Sequence, residues 1–173
     1  DLGVFFLQRE IQARHGVPGT RVKLRVAGFS GGMSGGTAAT GINMFDEQSR
    51  SPEVRRRNEA PYAINPTDRR SGPDGPDSFR PAWDADFEQW TGPFIMANVD
   101  TRVVRRSNAL LDHAYGADFR YDEAVLMGSG PVGFAKATGL ATALRVGMAA
   151  MTIGPLRRAA AARMPVPGAG PSK

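Results

Sequence analysis

Apolar residues recur at helical spacing through DLGVFFLQREIQARHG, where Leu2, Phe5, Phe6 and Ile11, joined by Gln8 and Ala13, outline one amphipathic helix that stops at Gly16 ahead of Pro18. Its opening residues are already apolar, so it reads as a helix cut from something upstream. The pattern then changes to a period of two: Val22, Leu24 and Val26 alternate with Lys23 and Arg25, as in a half-buried strand. Residues 22–42, VKLRVAGFSGGMSGGTAATGI, thus predict strand, glycine turn and helix, with Ser34 capping a helix that begins at Gly35. That helix continues past Thr37 through Ile42, Met44 and Phe45. Pro52 starts a new turn in SPEVRRRNEA, whose Arg55, Arg56 and Arg57 face solvent.

Residues 61–81, PYAINPTDRRSGPDGPDSFRP, are proline-rich and carry a Gly-Pro-Asp repeat, so they are expected to form one long loop, either a functional lid or a connector. Phe79, Trp83, Phe87 and Trp90 follow at spacings near four, either to pin the loop to the core or to line a ligand cavity, with core packing the expectation. Residues 94–99 read as a buried strand or the approach to a helix. The helix itself is expected over 101–115, ended by Gly116, with Val103, Leu110, Leu111 and Ala114 on one side and Arg102, Arg105 and Arg106 on the other. DFRYDEAVLMG then alternates as a strand. From 131 to 164 runs an alanine-rich helical segment carrying Phe134, Leu140, Leu144, Met148, Met151 and Leu156, kinked at Gly154 and Pro155. Lys136 and Arg145 interrupt it, so it is not a membrane span. It is expected to be buried against its own domain or a partner subunit, with a lipid surface as the alternative. The closing MPVPGAGPSK has no packing potential of its own.

Charge changes this picture more than length does. The 173 residues suit a single domain with formal net charge +5, yet no acidic residue follows Glu123, while Lys136, Arg145, Arg157, Arg158, Arg163 and Lys173 do. The preceding part is balanced at 16 basic against 17 acidic residues, so the basicity belongs to the tail. With only Phe134 as an aromatic there, the tail is not a nucleic-acid site, and attraction to a membrane surface fits better. The absence of cysteine excludes disulfides, thiolate metal sites and cysteine nucleophiles. His15 and His113 stand outside any metal-ligand or catalytic spacing, and no carboxylate pair or serine-histidine arrangement supports a hydrolase. The chain begins at Asp1 with no basic-then-apolar leader, so no signal peptide is claimed and a fragment is expected.

Two groups carry candidate chemistry. At the glycine turn the backbone N–H groups of Gly35, Gly36 and Thr37, with the hydroxyls of Ser34 and Thr37, suit an anionic or carbonyl oxygen. Its spacing is neither the dinucleotide fingerprint nor the phosphate loop, and its plain reading is a tight turn before a capped helix. Arg102, Arg105 and Arg106 form either a solvated face or a site for carboxylate or phosphate.

Five motifs in order, SGGTAAT at 34–40, PYAINP at 61–66, GPDGPD at 72–77, FIMANVDTRVVRRSNALL at 94–111 and PGAGPS at 167–172, resemble the saccharopine dehydrogenase-like oxidoreductases, and within them the trans-acting enoyl reductases. The resemblance implies an α+β fold, a mixed or antiparallel sheet with flanking helices, forming the second domain of such a protein. Residues 1–173 would be a single partial substrate and dimerisation domain whose Rossmann partner is absent from the fragment. It implies NADP for the full-length protein, bound mainly by that missing N-terminal domain, and none for the fragment alone, which would be inactive. The reaction implied is hydride transfer to an enoyl double bond of a lipid or polyketide-type acyl substrate. Ser34, Gly35, Gly36, Thr37, Asn98, Arg102, Arg105 and Arg106 would face substrate or cofactor, with Tyr62 and Asn65 in second place and no proton donor or metal ligand assigned. The alternative is a non-catalytic lipid- or acyl-carrier-binding or dimerisation domain with a basic helix on a membrane surface. The composition suggests a GC-rich bacterial source, and the expected location is cytoplasmic, or peripheral on the inner membrane surface.

Overall fold

The structure is a computed structural model that describes residues 1–28, 34–164, 168 and 170. Its strands are β1 (Arg21–Val26), β2 (Ala82–Asp84), β3 (Gln89–Pro93) and β4 (Arg120–Gly128), and its helices are α1 (Leu2–His15), α2 (Gly35–Arg50), α3 (Pro52–Glu59), α4 (Ala97–Leu110), α5 (Gly130–Thr152) and α6 (Gly154–Ala161). The sheet runs β1-β4-β3-β2, with β1 parallel to β4 and the other neighbours antiparallel. This is the α+β arrangement of a small mixed sheet with flanking helices. Four of the six residues of the motif at 167–172 fall outside the described residues.

Where alternation is visible, strands form as read. In the parallel register Val22 pairs with Tyr121, and both enter the core made by Val4, Val104, Tyr115 and Phe119, so α1 and α4 cover that face. Gln8 belongs to this interface rather than to solvent. Its amide donates to the Gly19 carbonyl at 2.8 Å and accepts the Gly19 N–H at 2.7 Å, tying α1 to the approach of β1.

Of the four aromatics expected to pack in the core, Trp83 and Phe87 are exposed. Trp83 and Trp90 are directly paired across the β2–β3 hairpin, their rings 5.7 Å apart, and Trp90 meets Phe134 of α5 at 4.7 Å. Of the two readings of 94–99 the structure takes the approach to a helix, since β3 ends at Pro93 and α4 begins at Ala97, and α4 starts and stops sooner than 101–115. Asn108 ends it: its side chain donates to the Gly116 carbonyl and accepts the Tyr115 N–H at 2.9 Å, while Asp112 and His113 turn left-handed.

The segment 131–164 forms α5 and α6, which meet at 108°. Helix α5 lies against β3 and β4 through the buried Gly133, Ala137 and Ala141. Two glycines permit the approach, because a Cβ at Gly133 would sit 2.1 Å from the Gly128 carbonyl oxygen and one at Gly92 would sit 3.0 Å from Leu140. No single helix is long and apolar enough to cross a membrane among the described residues.

Candidate functional site

The proline-rich loop is held by α4. Asp74 and Asp77 of GPDGPD stand three residues apart, as do Arg105 and Arg102, and the two pairs meet in opposite order: Arg105 Nε donates to Asp74 Oδ2 at 2.8 Å, and Arg102 Nη1 to Asp77 Oδ2 at 2.9 Å. Residues three apart on a helix share a face, so the period of the loop matches the helix. Strand β3 pairs with β4 only from Ala124 onward, which leaves Tyr121 beyond its end. The clasp completes the edge: the Tyr121 N–H donates to Asp74 Oδ2, and its carbonyl accepts from Arg105 Nη2, both at 3.2 Å. Buried backbone groups require such partners, and here side chains replace a strand.

The arginines therefore do not share one outward face. Arg102 and Arg105 are buried, Arg106 reaches from an exposed position to the Ile64 carbonyl, and it is Val103 and Leu110 that are exposed. An apolar stripe and a charged stripe exchange places because paired aspartates make the guanidinium groups the inner face. Tyr62 joins the clasp, its ring 5.6 Å from the Arg105 guanidinium carbon and its hydroxyl accepting the Asp74 N–H at 3.0 Å. Burial pushes its phenol up. Gly72 faces that ring so closely that a Cβ would lie 2.3 Å from it. Asn65 is buried, its amide donating to the Arg69 carbonyl at 3.0 Å. Tyr62, Asn65, Arg102, Arg105 and Arg106 thus gather around one loop. Ser34, Gly35, Gly36 and Thr37 share no hydrogen bond with that clasp; they begin α2 beyond the carboxyl end of β1, with the Ser34 hydroxyl accepting the Thr37 N–H at 3.2 Å.

Between the clasp and the sheet lies a cleft of about 740 Å³. One wall is the loop around Asp74 to Arg80, another is Arg21, Lys23, Arg25 and Asp122 of the parallel strands, and Ala97 and Asn98 open α4 into it. Asn98 is half-buried, and its side-chain amide has no partner among the described residues, so it alone of the expected site residues brings an unused neutral donor and acceptor to the cleft. A second, shallower depression of about 440 Å³ adjoins at Asp77 to Arg80 and is bordered by Arg145 and Met148 of α5.

Sequence reading missed the ionic wall. Lys23 of β1 bonds Asp84 of β2 at 2.8 Å although these are the two edge strands, so the sheet is curled enough to bring its edges together. Arg25 bridges Asp84 at 2.7 Å and Asp122 at 2.5 Å, and Lys23 also reaches Asp86 at 2.5 Å. Burial raises the Asp84 carboxyl, but the bonds from Lys23, Arg25 and the Asp86 N–H outweigh it and hold it at about 2. Alternation showed that Lys23 and Arg25 share a face; nothing in the sequence pattern showed that a hairpin sixty residues on would supply their counter-charge. On β4 the Tyr121 hydroxyl donates to Glu123 Oε1 at 2.6 Å. Burial raises the Glu123 carboxyl against that bond, and its other oxygen is sealed from solvent. The pair organises the sheet face beside the cleft, whose lining includes both residues. Among the described residues no group of histidine and carboxylate side chains is arranged to hold a metal.

Comparison with known proteins gives this geometry its context. The chain is 38% identical over 183 aligned residues to a Mycobacterium tuberculosis protein assigned by name to the trans-acting enoyl reductases, covering 99% of this chain and 43% of that one. It is 40% identical over 151 residues to the trans-acting enoyl reductase of Mycobacterium ulcerans and 39% over 152 to that of Mycobacterium bovis, covering 81% and 82% of this chain and 36% of each relative. The chain is a homologue of trans-acting enoyl reductases. It spans less than half the length of these relatives. No family model and no solved structure matches it.

Proposed function

We propose that the protein to which this chain belongs is an enoyl reductase of the saccharopine dehydrogenase-like type, adding hydride from NADPH and a proton taken up from solvent across the double bond of an acyl substrate of lipid or polyketide kind, and that this chain forms the substrate side. The observation that carries the reading is similarity to trans-acting enoyl reductases along almost the whole chain. The cleft supports it: a neutral amide on a helix held rigid by ion pairs suits a thioester carbonyl, whose oxygen gains negative charge as hydride adds to the conjugated carbon. In this reading Asn98 donates to that oxygen, while Arg102, Arg105 and Tyr62 are positioning residues that fix the loop and α4. The N–H groups of Gly35 and Gly36 provide a second set of donors at the start of α2, toward substrate or nicotinamide carboxamide, the Thr37 N–H being held by Ser34.

The chain's own residues do not fit a dinucleotide. The turn before α2 departs from the fingerprint, and the Ser34 hydroxyl takes the Thr37 N–H that a phosphate would use. The cofactor belongs, in this proposal, to the part of the protein outside this chain and enters no step here. The test is steady-state reduction of an enoyl thioester by NADPH in the full-length protein. Asn98→Ala is expected to lower kcat by roughly 10²-fold with little change in KM. Gly36→Val, where a Cβ meets nothing closer than 4.0 Å, leaves the fold intact and blocks ligand approach to α2. Full activity in either variant removes that group from the site, and no turnover of any enoyl thioester by the wild-type protein removes the reading.

A further inference from the structure

The α5–α6 bend carries an exposed surface that neither the cleft nor the sheet uses. Beyond Ala141 no residue of α5 is buried, and Val146, Ile153 and Leu156 are 63%, 51% and 49% exposed. From Ala137 to Leu156 the only charged residue is Arg145. An ordinary surface helix carries many charged residues on its outer face, and this stretch carries only Arg145. Cations lie around the apolar part instead. The layer of α2, α3, α5 and α6, taken as 35–59 and 130–164, holds nine basic against four acidic side chains, whereas the remainder up to residue 129 holds twelve against thirteen. Of the four acids, Asp46 is already paired with Arg157 at 2.7 Å and with Arg50 at 2.5 Å. Lys136, Arg145, Arg158 and Arg163 have no ion-pair partner among the described residues.

We infer that the α5–α6 bend docks on an anionic phospholipid surface, with Val146, Ile153 and Leu156 entering the headgroup boundary and the free arginines meeting lipid phosphate. The 108° bend lets both helices lie along a surface rather than span it. Charge complementarity selects this occupant: a second copy would bring an equally cationic layer and be repelled, while the anionic surface attracts each Lys or Arg near it. The inference stands apart from the proposed reductase activity, since it uses no residue of the cleft. It also agrees with that activity in one respect, as long acyl substrates concentrate at such a surface.

The test is flotation of the full-length protein with vesicles of one part phosphatidylglycerol to two parts phosphatidylcholine, against phosphatidylcholine alone. Binding to the first and not the second is expected, loosened by salt. Each cation near the surface strengthens partition roughly fivefold, so the double variant Arg158→Glu, Arg163→Glu is expected to weaken it by at least on the order of 25-fold. Val146→Asp with Ile153→Asp is expected to remove it. All four positions are exposed; circular dichroism and reduction of a short, water-soluble enoyl thioester report whether each variant is folded and keep the docking readout separate from catalysis. Equal binding to both vesicle types, no binding to either, or unchanged partition in the charge-reversed variant overturns the inference. So does a sedimentation result in which the wild type is a dimer that Val146→Asp dissociates, since the surface is then a subunit contact.

Discussion

The sheet region and the helical layer use charge in opposite ways. Around the sheet, the side chains of Arg25, Arg102 and Arg105 are buried, and each meets a carboxylate. In α3 and α6 no residue is buried, and the arginines of the layer outnumber the acids. A buried ion pair adds little net stability over an apolar core, but breaking one is costly, so it enforces one geometry. Exposed cations beside exposed apolar residues enforce none and leave interaction free energy for something outside the chain. The cleft is accordingly framed by the first region and the docking surface by the second.

The sharpest break of this comparison is Arg105→Ala. It leaves Asp74 without its cation, the Tyr121 carbonyl without a donor and Tyr62 without the guanidinium above its ring. Loss of about 3–5 kcal/mol in urea unfolding is expected. Arg158→Ala, in the layer, is expected to change stability by less than about 0.5 kcal/mol. Equal effects of the two would mean that the clasp is a surface pairing like any other.

A smaller effect, with a pH signature, is expected at Asp84. Its folded pKa of about 2 lies below the ordinary value of 3.8, so ionisation favours the folded state above the ordinary value. That contribution is complete above about pH 4 and is lost as pH falls through about 2. Asp84→Asn is expected to cost about 2 kcal/mol at neutral pH, and the difference from wild type is expected to shrink across that acid window. A constant difference down to pH 2 would show that Asp84 acts through packing rather than through Lys23 and Arg25. No corresponding acid window is expected from Arg158 of α6, which is exposed and has no carboxylate partner among the described residues.

The contrast also explains what was legible in the sequence. Strands β1 and β4 were readable because one face of each is apolar, and alternation is a local property. Helix α2 was readable from Ser34 and the glycines, and the bend from Gly154 and Pro155, one residue from where it occurs. The hairpin was not, since Trp83 and Trp90 lie seven apart in sequence and only pairing makes them opposite. The inward turn of Arg102 and Arg105 was hidden for a stronger reason. Hydrophobic periodicity places arginine outside, and only the three-residue rhythm of Asp74 and Asp77 set against the same rhythm in α4 signals the reverse. Of the candidate site, Asn98 was named from a motif, but its place beside an open cleft came from the fold. The ionic wall of Lys23, Arg25 and Asp84 depends on sheet curvature, which no local pattern records.

The smallest effect sharpens the comparison from the side of the helical layer. Gly92 and Gly133 face neighbours that a Cβ would strike, so their smallness serves the packing of α5 on the sheet. Gly139 and Gly147 lie within the same helix with nothing inside 4 Å of an added Cβ. Glycine inside a helix costs about 0.8–1.0 kcal/mol relative to alanine, and here no contact within the described chain offsets that cost. Gly139→Ala and Gly147→Ala are therefore expected each to stabilise the protein by up to about 1 kcal/mol in urea unfolding. Gly133→Ala is expected to destabilise it, because its Cβ would press on backbone rather than on a flexible side chain. A stabilising Gly139→Ala that leaves vesicle partition unchanged would confine the docking contact to the bend at Val146, Ile153 and Leu156; weaker partition would extend it back along α5 to the glycine positions.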